Sequence, residues 1–146
     1  MAADLGLEQP ERLLEKFAGV PQTMRVSPCR QAGKVIGFSP HTDVCAMTLL
    51  LHVNNVQGLQ IRRNDGKWLV VDRLDGALVI SIGGTFEILS NGRYRSIEHR
   101  AMVHPDKERI SVAMFHCVPA QRSALCQSSW RAALRHGTSR WATWNL

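Results

Sequence analysis

Hydrophobic positions along the 146-residue chain follow two different rhythms. At the start, Leu5, Leu7, Leu13, Leu14 and Phe17 sit among Glu8, Glu11, Glu15 and Lys16, and the spacing 10, 13, 14, 17 predicts a helix with one apolar face. Gly19 and Pro21 read as its stop. From Met24 to Pro119 the pattern changes to short β-branched runs separated by turn residues, the signature of an antiparallel sandwich or barrel. Strands are predicted near 34–38, 47–53, 58–63, 67–71, 77–82, 99–104 and 109–117, with the alternating Met47, Leu49 and Leu51 facing the core. Asn64-Asp65-Gly66 predicts a hairpin, because Asp-Gly supplies the positive φ that such turns require, and Asn91-Gly92 predicts a second turn of that kind. After Gln121 the rhythm is lost, and Ser128-Ser129 predict only a short helix from Trp130 to His136, ended by Gly137. The organisation expected is a helical lead-in (1–22), an all-β core (23–120) and an irregular or short-helical tail (121–146).

Composition changes this picture mainly at the tail. With 45% apolar and 21% charged side chains the chain has enough apolar material for one core, and it is neither disordered nor fibrous in character. The net charge of +6 raises the question of polyanionic partners. Residues 1–120 carry fourteen basic and twelve acidic groups, however, so most of the excess comes from Arg122, Arg131, Arg135 and Arg140, in a tail without acids that also holds Trp130, Trp141 and Trp144. Four spaced arginines form no dense cluster, and neither nucleic acid nor a membrane surface is expected as partner. Cys29, Cys45, Cys117 and Cys126 make no CxxC pair, and the acidic opening of the chain is unlike an export signal, so free thiols in a reducing, cytoplasmic setting are expected.

The candidate chemistry lies in the β core. His41-Thr42-Asp43 sets an imidazole and a carboxylate two residues apart, hence on one face of an extended segment. A His-x-Asp alone arises by chance in roughly one sequence in four of this composition, and two ligands do not close a metal site. His99, on another predicted strand, supplies a third, and two histidines with one carboxylate leave open metal positions for substrate and oxygen. Both imidazoles ligate only when neutral, so metal affinity is expected to fall in acid. Arg109-Ile110-Ser111 repeats the i, i+2 arrangement, presenting a guanidinium and a hydroxyl suited to a carboxylate. Phe115, farther along the same face, is a candidate pocket wall, while His52, His104 and His116 read as strand or turn residues.

Taken together, Val35-Ile36-Gly37-Phe38-Ser39-Pro40-His41-Thr42-Asp43, Gly58-Leu59-Gln60-Ile61, Gly66-Lys67-Trp68, Glu87-Ile88-Leu89-Ser90-Asn91-Gly92, Tyr94-Arg95-Ser96-Ile97-Glu98-His99-Arg100 and Lys107-Glu108-Arg109-Ile110-Ser111 resemble the plant iron(II) and 2-oxoglutarate-dependent dioxygenases, in particular their senescence-related and alkaloid O-demethylase-like branch. The resemblance runs from about Leu5 to about Phe115. It implies a partial double-stranded β-helix, or jelly roll, in which His41, Asp43 and His99 hold Fe(II) and Arg109 with Ser111 binds the far carboxylate of 2-oxoglutarate. The implied reaction consumes O2, decarboxylates 2-oxoglutarate to succinate, and hydroxylates, demethylates or desaturates a small specialised metabolite. The alternative is a shortened form that binds metal or a protein partner without turnover. Family members carry an N-terminal domain over the barrel, so the resemblance makes this chain the C-terminal catalytic part and leaves a surface for protein association. The family's tyrosine near 2-oxoglutarate has no counterpart around Val26-Ser27-Pro28-Cys29, and its Gly-Asp turn is here Gly83-Gly84.

Overall fold

The computed structural model describes residues 17–117. The helix expected over 7–17 and the tail helix expected after Trp130 lie outside the described residues. Eight strands, β1 (Ala18–Val26), β2 (Ile36–His41), β3 (Met47–His52), β4 (Leu59–Arg62), β5 (Trp68–Val70), β6 (Leu78–Ile82), β7 (His99–Met102) and β8 (Arg109–Cys117), are joined by one short helix, α1 (Gly84–Leu89), and a 3-10 turn over Ala32–Lys34. They form two four-stranded sheets, ordered β1-β8-β3-β6 and β2-β7-β4-β5, and every pairing is antiparallel. This is the expected all-β jelly-roll architecture.

The inner face of the first sheet follows from register. Leu50 pairs Ala113 on one side and Val79 on the other, while Thr48 pairs Phe115 and Ser81. Leu50 and Ala113 meet Leu59 of the second sheet, and Met24, Val71, Val79 and Phe115 complete this cluster. Burial of these apolar groups against one another is the main force holding the sheets together.

Four sequence readings change in the structure. The buried side chains of β3 are Thr48, Leu50 and His52, whereas Met47, Leu49 and Leu51 face outward and Leu51 is 41% exposed. Both faces of this strand carry leucines, so alternation alone does not choose the face; a one-residue shift reverses it, and pairing with β8 decides. The β region begins at Ala18, since Gly19 and Pro21 lie in β1 and do not serve only as a helix stop. Pro21 is tolerated because β1 is an edge strand. The first strand after it spans Ile36–His41, beyond the predicted 34–38, and so carries the chain directly to His41. Asn91-Gly92 does have positive φ (51° and 76°), but it terminates α1, where Gly92 N donates to Glu87 O, and makes no hairpin. By contrast, Asn64-Asp65-Gly66 turns β4 into β5 as expected, with Gly66 at φ 81° and Arg63 N donating to Lys67 O.

Candidate metal centre

His41 ends β2, and His99 opens β7 directly opposite it in the ladder. Their rings lie 4.4 Å apart. Each ring is oriented by its own strand: His41 Nδ1 donates to Ser39 O at 2.7 Å and His99 Nδ1 to Ile97 O at 3.1 Å. A carbonyl oxygen only accepts, so Nδ1 carries the hydrogen on both rings and each Nε2 keeps a free lone pair.

Asp43 reaches the same point from the bend between β2 and β3. That bend is tied to the entry of α1: Gly83 N donates to Ala46 O, Gly84 N to Asp43 O at 2.7 Å, and Thr85 Oγ1 to Val44 O at 2.6 Å. Gly83 is required here, because a Cβ at that position would overlap the Cys45 carbonyl. Asp43 is buried, and its two oxygens have different surroundings. Oδ2 accepts from Thr48 Oγ1 at 2.6 Å and from Ser81 Oγ at 3.1 Å. Oδ1 faces His41 Nε2 at 3.9 Å and His99 Nε2 at 3.7 Å. Those two distances are too long for hydrogen bonds, and they suit donor atoms turned toward a shared centre. The ligating atoms of the three residues all lie within 4.8 Å of one another, and among the described residues these are the side chains grouped as a metal site. Two neutral imidazoles and a carboxylate fit a divalent first-row metal, leaving part of its coordination shell to other ligands.

The three residues border a cavity of about 390 Å³ that lies between the two sheets and opens to the surface. Its wall includes Phe38, Ile61, Ile82 and Phe115, and Phe115 also packs on the core. Arg109 lies on the same cavity and is only 2% exposed. Its Nη1 donates to the fully buried Ser111 Oγ at 3.2 Å, which sets Ser111 beside the guanidinium, while Nε and Nη2 have no partner. Burial pushes the Arg109 guanidinium down from its ordinary pKa. A buried cation with unused N–H groups fits a carboxylate as bidentate partner. Gly58 makes room for it, because a Cβ there would press on Met102 O and the Arg109 side chain.

Thr48 and Ser81 hold the carboxylate but were not singled out from the sequence. Alternation places each on a strand face, and only the β3–β6 register sets them side by side. His104 serves a turn, its Nδ1 accepting from Asp106 N and Lys107 N, and His52 and His116 lie on strands. Cys45, whose thiol burial pushes up in pKa, hydrogen-bonds Thr48 Oγ1 at 3.2 Å.

A jelly roll with two histidines and a carboxylate at the mouth of its inter-sheet cavity, and a buried arginine on the same wall, defines a mononuclear metal oxygenase architecture. Comparison with known proteins agrees: the profile of the 2OG-Fe(II) oxygenase superfamily matches residues 17–118, and the chain belongs to that family. It is 56% identical over 119 residues to 2-oxoglutarate-dependent dioxygenase 11 of Oryza sativa subsp. japonica, covering 80% of this chain and 33% of the relative. It is 40% identical over 115 residues to codeine O-demethylase of Papaver somniferum, covering 77% and 32%. Among solved structures, that of JOX2 in complex with 2OG, Fe and JA superposes with a TM-score of 0.75 at 34% identity, covering 82% of this chain and 36% of that one. The chain thus spans about a third of the length of the curated relatives it matches.

Proposed function

We propose that this chain forms the Fe(II)- and 2-oxoglutarate-binding core of an oxygenase acting on a small organic molecule. The observation that carries the reading is the pairing, on one cavity, of the His41, Asp43 and His99 cluster with a buried Arg109 whose Nε and Nη2 are unused. When bound, the iron and 2-oxoglutarate supply the oxidising chemistry, using O2 and yielding succinate and carbon dioxide.

The protein's own contributions follow from the geometry. His41 and His99 present Nε2 lone pairs, with their tautomers set by Ser39 and Ile97 carbonyls. Asp43 presents Oδ1 while Thr48 and Ser81 hold Oδ2. Arg109, supported by Ser111, would pair with the remote carboxylate of 2-oxoglutarate and so fix its position in the cavity. The apolar wall formed by Phe38, Ile61, Ile82 and Phe115 excludes water and receives the organic substrate. Its oxidation by hydroxylation, demethylation or desaturation is the finer part of the proposal, supported by the likeness to an O-demethylase.

Anaerobic mixing with Fe(II) and 2-oxoglutarate tests this reading through the visible charge-transfer band of the chelate. The band is expected with the wild-type chain and not with His99→Ala. Arg109→Ala should weaken 2-oxoglutarate binding while Fe(II) still binds. A folded wild-type chain without the band refutes the proposal, and a band without succinate release under O2 would favour the binding-only alternative.

A further inference from the structure

The cavity carries a second cationic group that the metal and cosubstrate reading leaves unused. Arg95 lies in the segment that leads from α1 into β7, and Arg95, Ile97 and His99, spaced two residues apart, all line the cavity. The intervening residues do not line it and make other contacts. Ser96 N donates to Glu87 Oε2 at 2.8 Å, and Glu98 pairs with Arg62 at 2.8 Å. These two contacts pin the segment on both sides of Ile97, and among the described residues Arg95 has no ionic partner. Arg100, the other cation on this wall, is held: its Nε donates to Gln60 at 2.8 Å and its guanidinium stacks 4.1 Å above the Trp68 ring. Arg109 lies buried, whereas Arg95 is exposed, so the two cations occupy different levels of the cavity.

We infer that Arg95 is a substrate-selecting residue, and that the organic substrate is an apolar molecule bearing a carboxylate, held by Arg95 at the cavity mouth while its hydrocarbon body rests on the apolar wall beside the metal ligands. An unpaired guanidinium at the edge of an apolar cavity is a planar, permanently charged donor for a carboxylate, and it is less screened there than on an open surface. The inference rests on the reading of the cavity as an oxygenase site, with Arg109 reserved for the cosubstrate.

The test uses naphthylpropanoate and its uncharged amide as fluorescent probes, titrated into the full chain holding Fe(II) and 2-oxoglutarate without O2. The wild type is expected to prefer the carboxylate by about tenfold in Kd, the scale of one charge-assisted contact. Arg95→Gln should bring the two probes within about twofold while keeping the charge-transfer band, and Arg95→Lys should retain part of the preference. Equal or absent binding by the wild type, or a preference that survives in Arg95→Gln, overturns the inference. Repeating the titration in an Arg109→Gln background removes the deeper cation and reads Arg95 whether or not 2-oxoglutarate binds. Absence of the band in the wild type therefore counts against the oxygenase reading, and absence of the probe preference while Arg95 is present counts against Arg95 alone.

Discussion

Thr48→Val removes the hydroxyl that holds the Asp43 carboxylate and that also meets the Cys45 thiol. Valine keeps the shape of threonine, so the packing of this buried site on β3 is nearly unchanged while the hydroxyl is lost. That hydroxyl makes a 2.6 Å bond to Asp43 Oδ2, short enough to be charge-assisted, whereas Ser81 donates to the same oxygen at 3.1 Å from a less buried position. A hydrogen bond to a buried charge is worth about 1.5–3 kcal/mol, roughly a 10- to 150-fold change in an equilibrium constant. Loss of such an outer partner ordinarily lowers metal affinity by about 10- to 100-fold. Calorimetric titration with Mn(II), a redox-stable substitute for Fe(II), should show a fall of that size in Thr48→Val, a smaller one in Ser81→Ala, and near-native affinity in Thr48→Ser, which restores the hydroxyl. Affinity in Thr48→Val within about twofold of wild type would refute the role given to this bond, as would a Thr48→Ser variant as weak as Thr48→Val.

Gly83→Ala should be strongly destabilising, or fail to accumulate as folded protein, because the added Cβ meets the Cys45 carbonyl and would push apart the bend that carries Asp43; thermal melting against Gly33→Ala, where a Cβ meets open space, checks it. His52 is pushed down in pKa first by burial and then by the Arg109 and Arg73 charges, so the folded chain resists a proton that the unfolded chain accepts near its ordinary value of about 6.5. Its contribution to stability is therefore present above that value, declines as pH falls below it, and levels off beneath the folded pKa. Urea midpoints from pH 7 to pH 5 should fall less in His52→Gln than in wild type; parallel curves would show that His52 is not the source. Gly66→Ala, at φ 81° with open space around it, should cost about 1 kcal/mol through backbone strain alone and leave Mn(II) affinity unchanged.

Local chemistry made several features legible in the sequence. The Asp65-Gly66 turn was readable because positive φ selects residue type within two positions, and the β class because short apolar runs recur between turn residues. His41-x-Asp43, His99 and Arg109-x-Ser111 could be picked out as a set from their residue types and their resemblance to a family. The structure places the three metal-ligand candidates together and sets Arg109, with Ser111 beside it, on the same cavity. The six-residue helix α1 was missed because Gly-Thr-Phe-Glu-Ile-Leu is too short to show a helical period, and β1 because Gly19 and Pro21 break a strand pattern except at a sheet edge.

By itself, then, the sequence determined which side chains were available for chemistry and that strands would carry them, since side-chain identity and turn preference are properties of a residue and its near neighbours. Which face of β3 turns inward, which hydroxyls meet Asp43, and which arginine stays unpaired were decided by the tertiary structure. The first two depend on register between strands distant along the chain, since Thr48 meets Ser81 and Phe115 only through pairing with β6 and β8, and the third on how the chain folds around Arg95, which among the described residues has no ionic partner. A shift of one residue in that register would keep every element in place and turn the support of the metal site outward.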